Sequence, residues 1–181
     1  ATLRAGRPVA ERGLLAEADG GIIVLPMAER LAASTAARIA AVLDAGEVRL
    51  ERDGLTQRMH ARLGLIALDE RTDEDEPVAH ALLDRVAFHL DLSGVSVREA
   101  QCISIDERAV ARARALLKHV RADKQTVSAM TAAAAALGIS SLRAPLLALR
   151  AARVLAALEG KDAIEPQHAA EAARLVLAPR A

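Results

Sequence analysis

No tryptophan or tyrosine occurs in this sequence, and Phe88 is its single aromatic residue. Stacking platforms for unpaired bases are therefore missing, which argues against binding of single-stranded nucleic acid. An excess of charge is missing too, because 24 Lys plus Arg balance 24 Asp plus Glu. Without a net basic or acidic field, nothing gathers a polyanion or a cloud of cations over the surface. The one cysteine, Cys102, has no partner for an internal disulfide. Lacking a basic neighbour or a paired histidine in sequence, it is expected to be a buried, inert thiol. No apolar run approaches ~20 residues, and no charged-then-apolar leader opens the chain, so neither membrane spanning nor secretion is expected. A cytoplasmic address is the expectation that remains.

What is present is aliphatic. Hydrophobic residues make up 52% of the chain, almost all of them Ala, Leu and Val. Alanine and leucine favour helix, so a core with so few rings must close by near approach of helices at alanine positions. The first half nonetheless alternates strands and helices. Ile22-Ile23-Val24-Leu25 follows Gly20-Gly21 and is stopped by Pro26, which predicts a strand of a parallel sheet buried on both faces. Ser34 is expected to cap a helix that carries Ile39, Val42 and Leu43 on one stripe and closes at Gly46. Val48 and Leu50, then Asp53-Gly54, then Leu55 predict a hairpin, since Asp-Gly tolerates the positive φ of a tight turn. Residues 63–68 and 86–92 read as two further strands, and the acidic stretch 69–76 as a solvated surface loop or a face toward a basic partner.

From Ser104 the periodicity becomes helical. Ser104-Ile105-Asp106-Glu107 fits a capping box, and Ile105, Val110, Ala113, Leu116, Leu117 and Val120 follow it at helical spacing. A second helix is predicted over 124–137 with Gly138 after it, and a third from Ser140-Ser141 to Gly160 with Pro145 in its first turns. A fourth starts at Pro166 and ends before Pro179. The expected division is an α/β part, 1–97, followed by an all-α lobe, 98–181.

Several short motifs recur in a fixed order. They are Gly13-Leu14-Leu15 ahead of the strand at 22–25, Glu51-Arg52-Asp53-Gly54, Ala81-Leu82-Leu83-Asp84-Arg85, Leu142-Arg143-Ala144, Leu149-Arg150-Ala151-Ala152-Arg153, and Glu165-Pro166 with the helix at 170–177. In order and spacing they resemble magnesium chelatase, the AAA+ machine that inserts Mg²⁺ into protoporphyrin IX. The resemblance implies an AAA+-type parallel-sheet core, incomplete in its Walker A part, followed by a four-helix all-α lid.

In the ATPase (I) subunit of that family the strand ends in Asp-Glu, the Walker B pair. Its aspartate holds the Mg²⁺ between the β- and γ-phosphates, and its glutamate orients the attacking water. Here the matching positions are Pro26 and Met27, which can do neither. The Walker A pattern, Gly-x-x-x-x-Gly-Lys-Ser/Thr, is absent from the 181 residues. Glu70 stands where the ATPases place an asparagine as first sensor, and a carboxylate there would repel a γ-phosphate.

Such a degenerate module resembles the D subunit. That resemblance implies no cofactor bound by this chain, with ATP and Mg²⁺ held at a partner ATPase (I) subunit in a ring. It implies a porphyrin-binding H subunit as a further partner and no nucleic acid. Arg85 takes the place of an arginine finger acting in trans, and Arg143 that of the second sensor. From its own four-residue context, Arg85 equally reads as a solvated arginine after a leucine pair. D subunits continue into an acidic, proline-rich linker and an integrin-I-type domain, so a piece of a longer protein is expected. Two other readings stay open: an AAA+ ATPase whose P-loop lies upstream, and a non-catalytic AAA+ adaptor of another assembly.

His80 and Asp84, at i and i+4, are too few ligands for a metal site. His60, His89, His119 and His168 do not cluster and are expected in surface or structural roles. Asp91-Leu92-Ser93-Gly94-Val95 approaches an Asp-x-Ser-x-Ser metal motif, but Val95 breaks it.

Overall fold

The computed structural model describes residues 2–4, 7–9, 11–52, 55–72, 76–96, 98 and 104–181. The chain divides into two compact units, Ala1–Val86 and Ala87–Ala181. Cys102, the Asp53-Gly54 turn, residues 73–75 of the acidic stretch and residue 97 at the expected boundary lie outside the described residues.

The first unit opens with an antiparallel pair, β1 (Thr2–Arg4) and β2 (Arg7–Val9), followed by a one-turn helix, α1 (Leu14–Glu17). Strand β3 (Ile22–Leu25) leads through a 3-10 turn at Ala28–Arg30 into α2 (Ala33–Ala45). Next come β4 (Glu47–Arg52), β5 (Leu55–His60), β6 (Gly64–Ala67) and the short α3 (His80–Leu83). The predicted hairpin is β4–β5, antiparallel, with Arg52 opposite Leu55. Strands β3 and β6 pair in parallel, with Ile22 opposite Gly64 and Leu25 opposite Ala67. Parallel neighbours need a long crossover, and α2 with the hairpin supplies it.

Because side chains alternate along a strand, this parallel pair has two distinct faces. Leu25, Leu65 and Ala67 turn toward a core of Ala28, Ala36, Ile39, Ala40, Val78 and Leu82 contributed by α2, α3 and their approaches. Ile22, Val24 and Ile66 turn the other way and are 65%, 55% and 47% exposed. The expectation of a strand buried on both faces is corrected: within this unit one face of β3 is covered. Two further expectations change here. Ser34 lies inside α2 rather than capping it; Ala32 is the N-cap, with no side-chain hydrogen bond, while Gly46 ends the helix at φ +66° as predicted. Residues 86–92 form no strand, and Phe88, Leu90 and Leu92 are exposed. Apolar alternation alone makes no strand where no neighbour offers a ladder.

The second unit contains α4 (Glu107–Leu117), α5 (Lys124–Ala136), α6 (Arg143–Leu158) and α7 (Pro166–Val176), closed by a 3-10 turn at Ala178–Arg180. The cap of α4 is Asp106, whose Oδ1 accepts from the Arg108 amide at 2.9 Å, so the box expected at Ser104 gives way to a carboxylate two residues on. Asp123 caps α5, accepting from the Thr126 amide at 2.7 Å. Pro145 fits the first turn of α6 because the amide it lacks has no helical acceptor there. Ala144, Ala148, Ala151 and Ala152 recur along α6 and are buried in one cluster with Ala172 and Val176 of α7 and Leu177 just after it, while Ala156 lies in a second cluster with Ala113 and Val120. Side chains this small let helix axes approach closely, which is how a core without aromatic rings fills its space.

Two polar contacts fasten the helices further. The Arg153 guanidinium on α6 donates to the Leu117 carbonyl in the last turn of α4 at 3.0 Å. His168, 2% exposed, accepts at Nδ1 from the Glu165 amide and meets Glu159 Oε2 through Nε2, both at 3.0 Å. Because Nδ1 accepts, Nε2 carries the proton and donates to Glu159. The hydrogen bond from His168 holds the Glu159 carboxyl below its ordinary value.

Candidate functional site

In open α/β sheets ligands gather beyond the carboxyl ends of parallel strands. Here β3 and β6 end side by side, and their ladder runs on through Leu68 N–H to the Leu25 carbonyl and Ala28 N–H to the Leu68 carbonyl, each 2.9 Å. This geometry brings together the residues singled out at 26, 27 and 70. Met27 has φ +47° and ψ +49°, the left-handed region, and is the sole non-glycine residue with positive φ among those described. That conformation costs a side-chain-bearing residue about 1–2 kcal/mol. Its amide donates to Glu70 Oε1 at 3.3 Å, and the Glu70 amide in turn donates to Glu29 Oε2 at 3.1 Å. Glu29 sits in the 3-10 turn that follows, its side chain only 1% exposed, with Oε1 3.6 Å from Arg30 Nε.

Two hydrogen bonds thus link Met27, Glu70 and Glu29 at the end of the parallel pair, where Glu29 Oε1 is buried without a hydrogen-bond partner. In the ATPases to which the resemblance points, acids after this strand serve the ion of a magnesium nucleotide and its attacking water. Pro26 and Met27 carry no side-chain oxygen for either role, and the Glu70 carboxylate accepts from the Met27 amide. The residues present do not fit that group.

Arg85 follows α3. Its Nη2 donates to Asp44 Oδ2 at 2.5 Å and its Nη1 to the Ala81 carbonyl at 2.7 Å. The side chain is 18% exposed, and Nε is buried without a hydrogen-bond partner. Its hydrogen bond to the Asp44 carboxylate raises the guanidinium above its ordinary value. Asp44 was not foreseen from sequence, although a signal exists: it stands in the last turn of α2, where the helix dipole disfavours an anion. Glu29, also unforeseen, has no comparable signal.

Arg143, in the second unit, is exposed at the first position of α6, and its amide donates to Ser141 Oγ at 3.2 Å. His80 and Asp84 flank α3, and among the described residues no group of three or more His, Cys, Asp or Glu could hold a metal ion. Nor does any helix of the described residues have the length and apolarity to cross a membrane.

A family model described as an AAA lid domain matches residues 127–181, from within α5 to the end of the chain. The magnesium-chelatase 60 kDa subunit of Rhodobacter capsulatus is 41% identical over 99% of this chain, and that of Cereibacter sphaeroides 42% identical over all of it. The chain spans 29% of the length of each of these relatives. The magnesium-chelatase 38 kDa subunit of R. capsulatus is 28% identical over 97% of this chain and 56% of its own length. The chain is thus a homologue, from end to end, of one part of the magnesium-chelatase 60 kDa (D) subunits: an AAA+-type α/β segment that runs on into an AAA lid domain.

Proposed function

We propose that this segment is a non-hydrolysing AAA+ module of a magnesium chelatase, assembling in a ring with an ATPase subunit of the 38 kDa type. The module binds no nucleotide of its own, so ATP and Mg²⁺ are held at the partner. The ring supports ATP-driven insertion of Mg²⁺ into protoporphyrin IX on a porphyrin-binding H subunit in the cytoplasm. One observation carries the silent-site reading: at the strand ends, where a nucleotide-binding relative needs acids for Mg²⁺, the Glu70 carboxylate accepts from the Met27 amide and the Glu29 carboxylate from the Glu70 amide. The stronger identity to 60 kDa than to 38 kDa subunits supports the same assignment.

Rings of such modules contact head to tail, so one subunit's residues complete the next subunit's site. In this reading Arg85 faces a neighbouring ATPase subunit's nucleotide and neutralises charge that develops on the transferring phosphoryl group. Arg143 takes the second-sensor position without a nucleotide to sense. Steady-state ATP hydrolysis by the full-length protein mixed with the ATPase subunit tests this. Arg85→Ala should lower turnover on the order of 10³-fold at the sites it completes, with the variant still folded. Wild-type turnover in that mixture removes the finger role.

A further inference from the structure

The Arg85 guanidinium is not an arginine that merely happens to lie near the surface. Its two terminal nitrogens are each committed on one side, Nη1 to the Ala81 carbonyl and Nη2 to Asp44. These acceptors belong to different elements: Ala81 to α3, one turn before Arg85, and Asp44 to α2. Two anchors on a rigid, planar group set both its position and the direction of its plane. Each terminal nitrogen carries one N–H beyond the bond it makes, and the side chain keeps 18% of its surface exposed.

Asp44 is also costly where it stands. A carboxylate in the last turn of α2 opposes the helix dipole, and the left-handed Gly46 ends the helix two residues later. Nothing in helix formation asks for an acid there. Its Oδ2 lies 2.5 Å from Arg85 Nη2, a charge-assisted contact shorter than most. A merely solvating arginine needs no such partner.

We propose that Asp44 is a positioning residue for Arg85, holding the guanidinium so that its remaining N–H edge meets a neighbouring subunit's triphosphate. This inference rests on the finger reading of Arg85 given above. It assigns no contact with nucleotide to Asp44, which acts through Arg85 alone.

The test is a set of kcat and KM measurements for ATP on the full-length protein mixed with saturating ATPase subunit. Asp44→Asn keeps the shape and removes the charge; it should lower kcat about three- to tenfold with KM unchanged. Asp44→Glu should recover part of the loss. In an Arg85→Ala background Asp44→Asn should have no further effect, because residues that act as one unit are not additive. If Arg85→Ala lowers kcat while Asp44→Asn leaves it unchanged or raises it, Asp44 does not position the finger and the finger reading survives. Should Asp44→Asn lower kcat equally in the Arg85→Ala background, its effect is structural and the proposal is overturned. Wild-type rates for Arg85→Ala overturn the finger reading itself and this inference with it.

Discussion

The two units of the chain bury their apolar residues in different ways. In the helical unit Ala148, Ala152, Ala172, Val176 and Leu177 are fully covered by partners drawn from the same unit. In the α/β unit the parallel pair is covered on one face only, and Ile22, Val24 and Ile66 remain open on the other. Helices answer their own backbone hydrogen bonds and need only a stripe of partners, whereas a parallel sheet becomes buried when layers close on both of its faces. The difference teaches that alanine-lined helices close their seam within the unit while the parallel pair leaves one apolar face open, although Ile105, Leu142 and Leu146 of the helical unit are exposed as well.

Overpacking should expose this difference most strongly. Ala152→Leu forces added methylenes into the seam between α6 and its neighbours and should cost about 1–3 kcal/mol in denaturant unfolding. An unchanged midpoint would mean that the seam has room and that alanine is not what lets the helices approach. A smaller effect is expected from acid. Hydrogen bonds from the Thr126 amide, His168 and Arg174 hold Asp123, Glu159 and Glu171 of the helical unit below their ordinary values of 3.8 for Asp and 4.5 for Glu. Folded values below unfolded ones give stability that is full above about pH 4.5 and is lost as pH falls through the folded values. Amide exchange between pH 5 and pH 3 should therefore show protection falling in α5 and α7; constant protection across that range would contradict it. The smallest effect belongs to the open face. Val24→Thr should stay within about 0.5 kcal/mol in the isolated chain, and a loss several times larger would show that Val24 is covered after all.

Much of the helical unit was legible because its signals are local. Pro166 at the start of α7, Gly138 after α5 and the alanine stripe of α6 each act within a turn or two of where they stand. The capping of α4 was misplaced by two residues because Ser104 and Asp106 both offer an oxygen, and only the backbone path decides which reaches an amide. The α/β unit was legible in outline. The hairpin and both parallel strands lie where the Asp53-Gly54 turn and the apolar runs predict them, yet 86–92 is apolar too and forms none, since pairing depends on a distant neighbour.

The candidate site divides along the same line. Pro26, Met27 and Glu70 could be named from sequence because the resemblance to the chelatase ATPases marks those positions. That Met27 and Glu70 are linked with Glu29 could not, because these contacts join residues some forty positions apart. Asp44 and Arg85 are likewise 41 residues apart, and each alone reads as a solvated charge.

Isothermal titration of the full-length protein alone with Mg²⁺ and ATP, followed by an assay for released phosphate, tests the central claim most directly. The strand-end node predicts neither binding heat nor phosphate release without the ATPase partner. Saturable binding with turnover by the protein alone would contradict it.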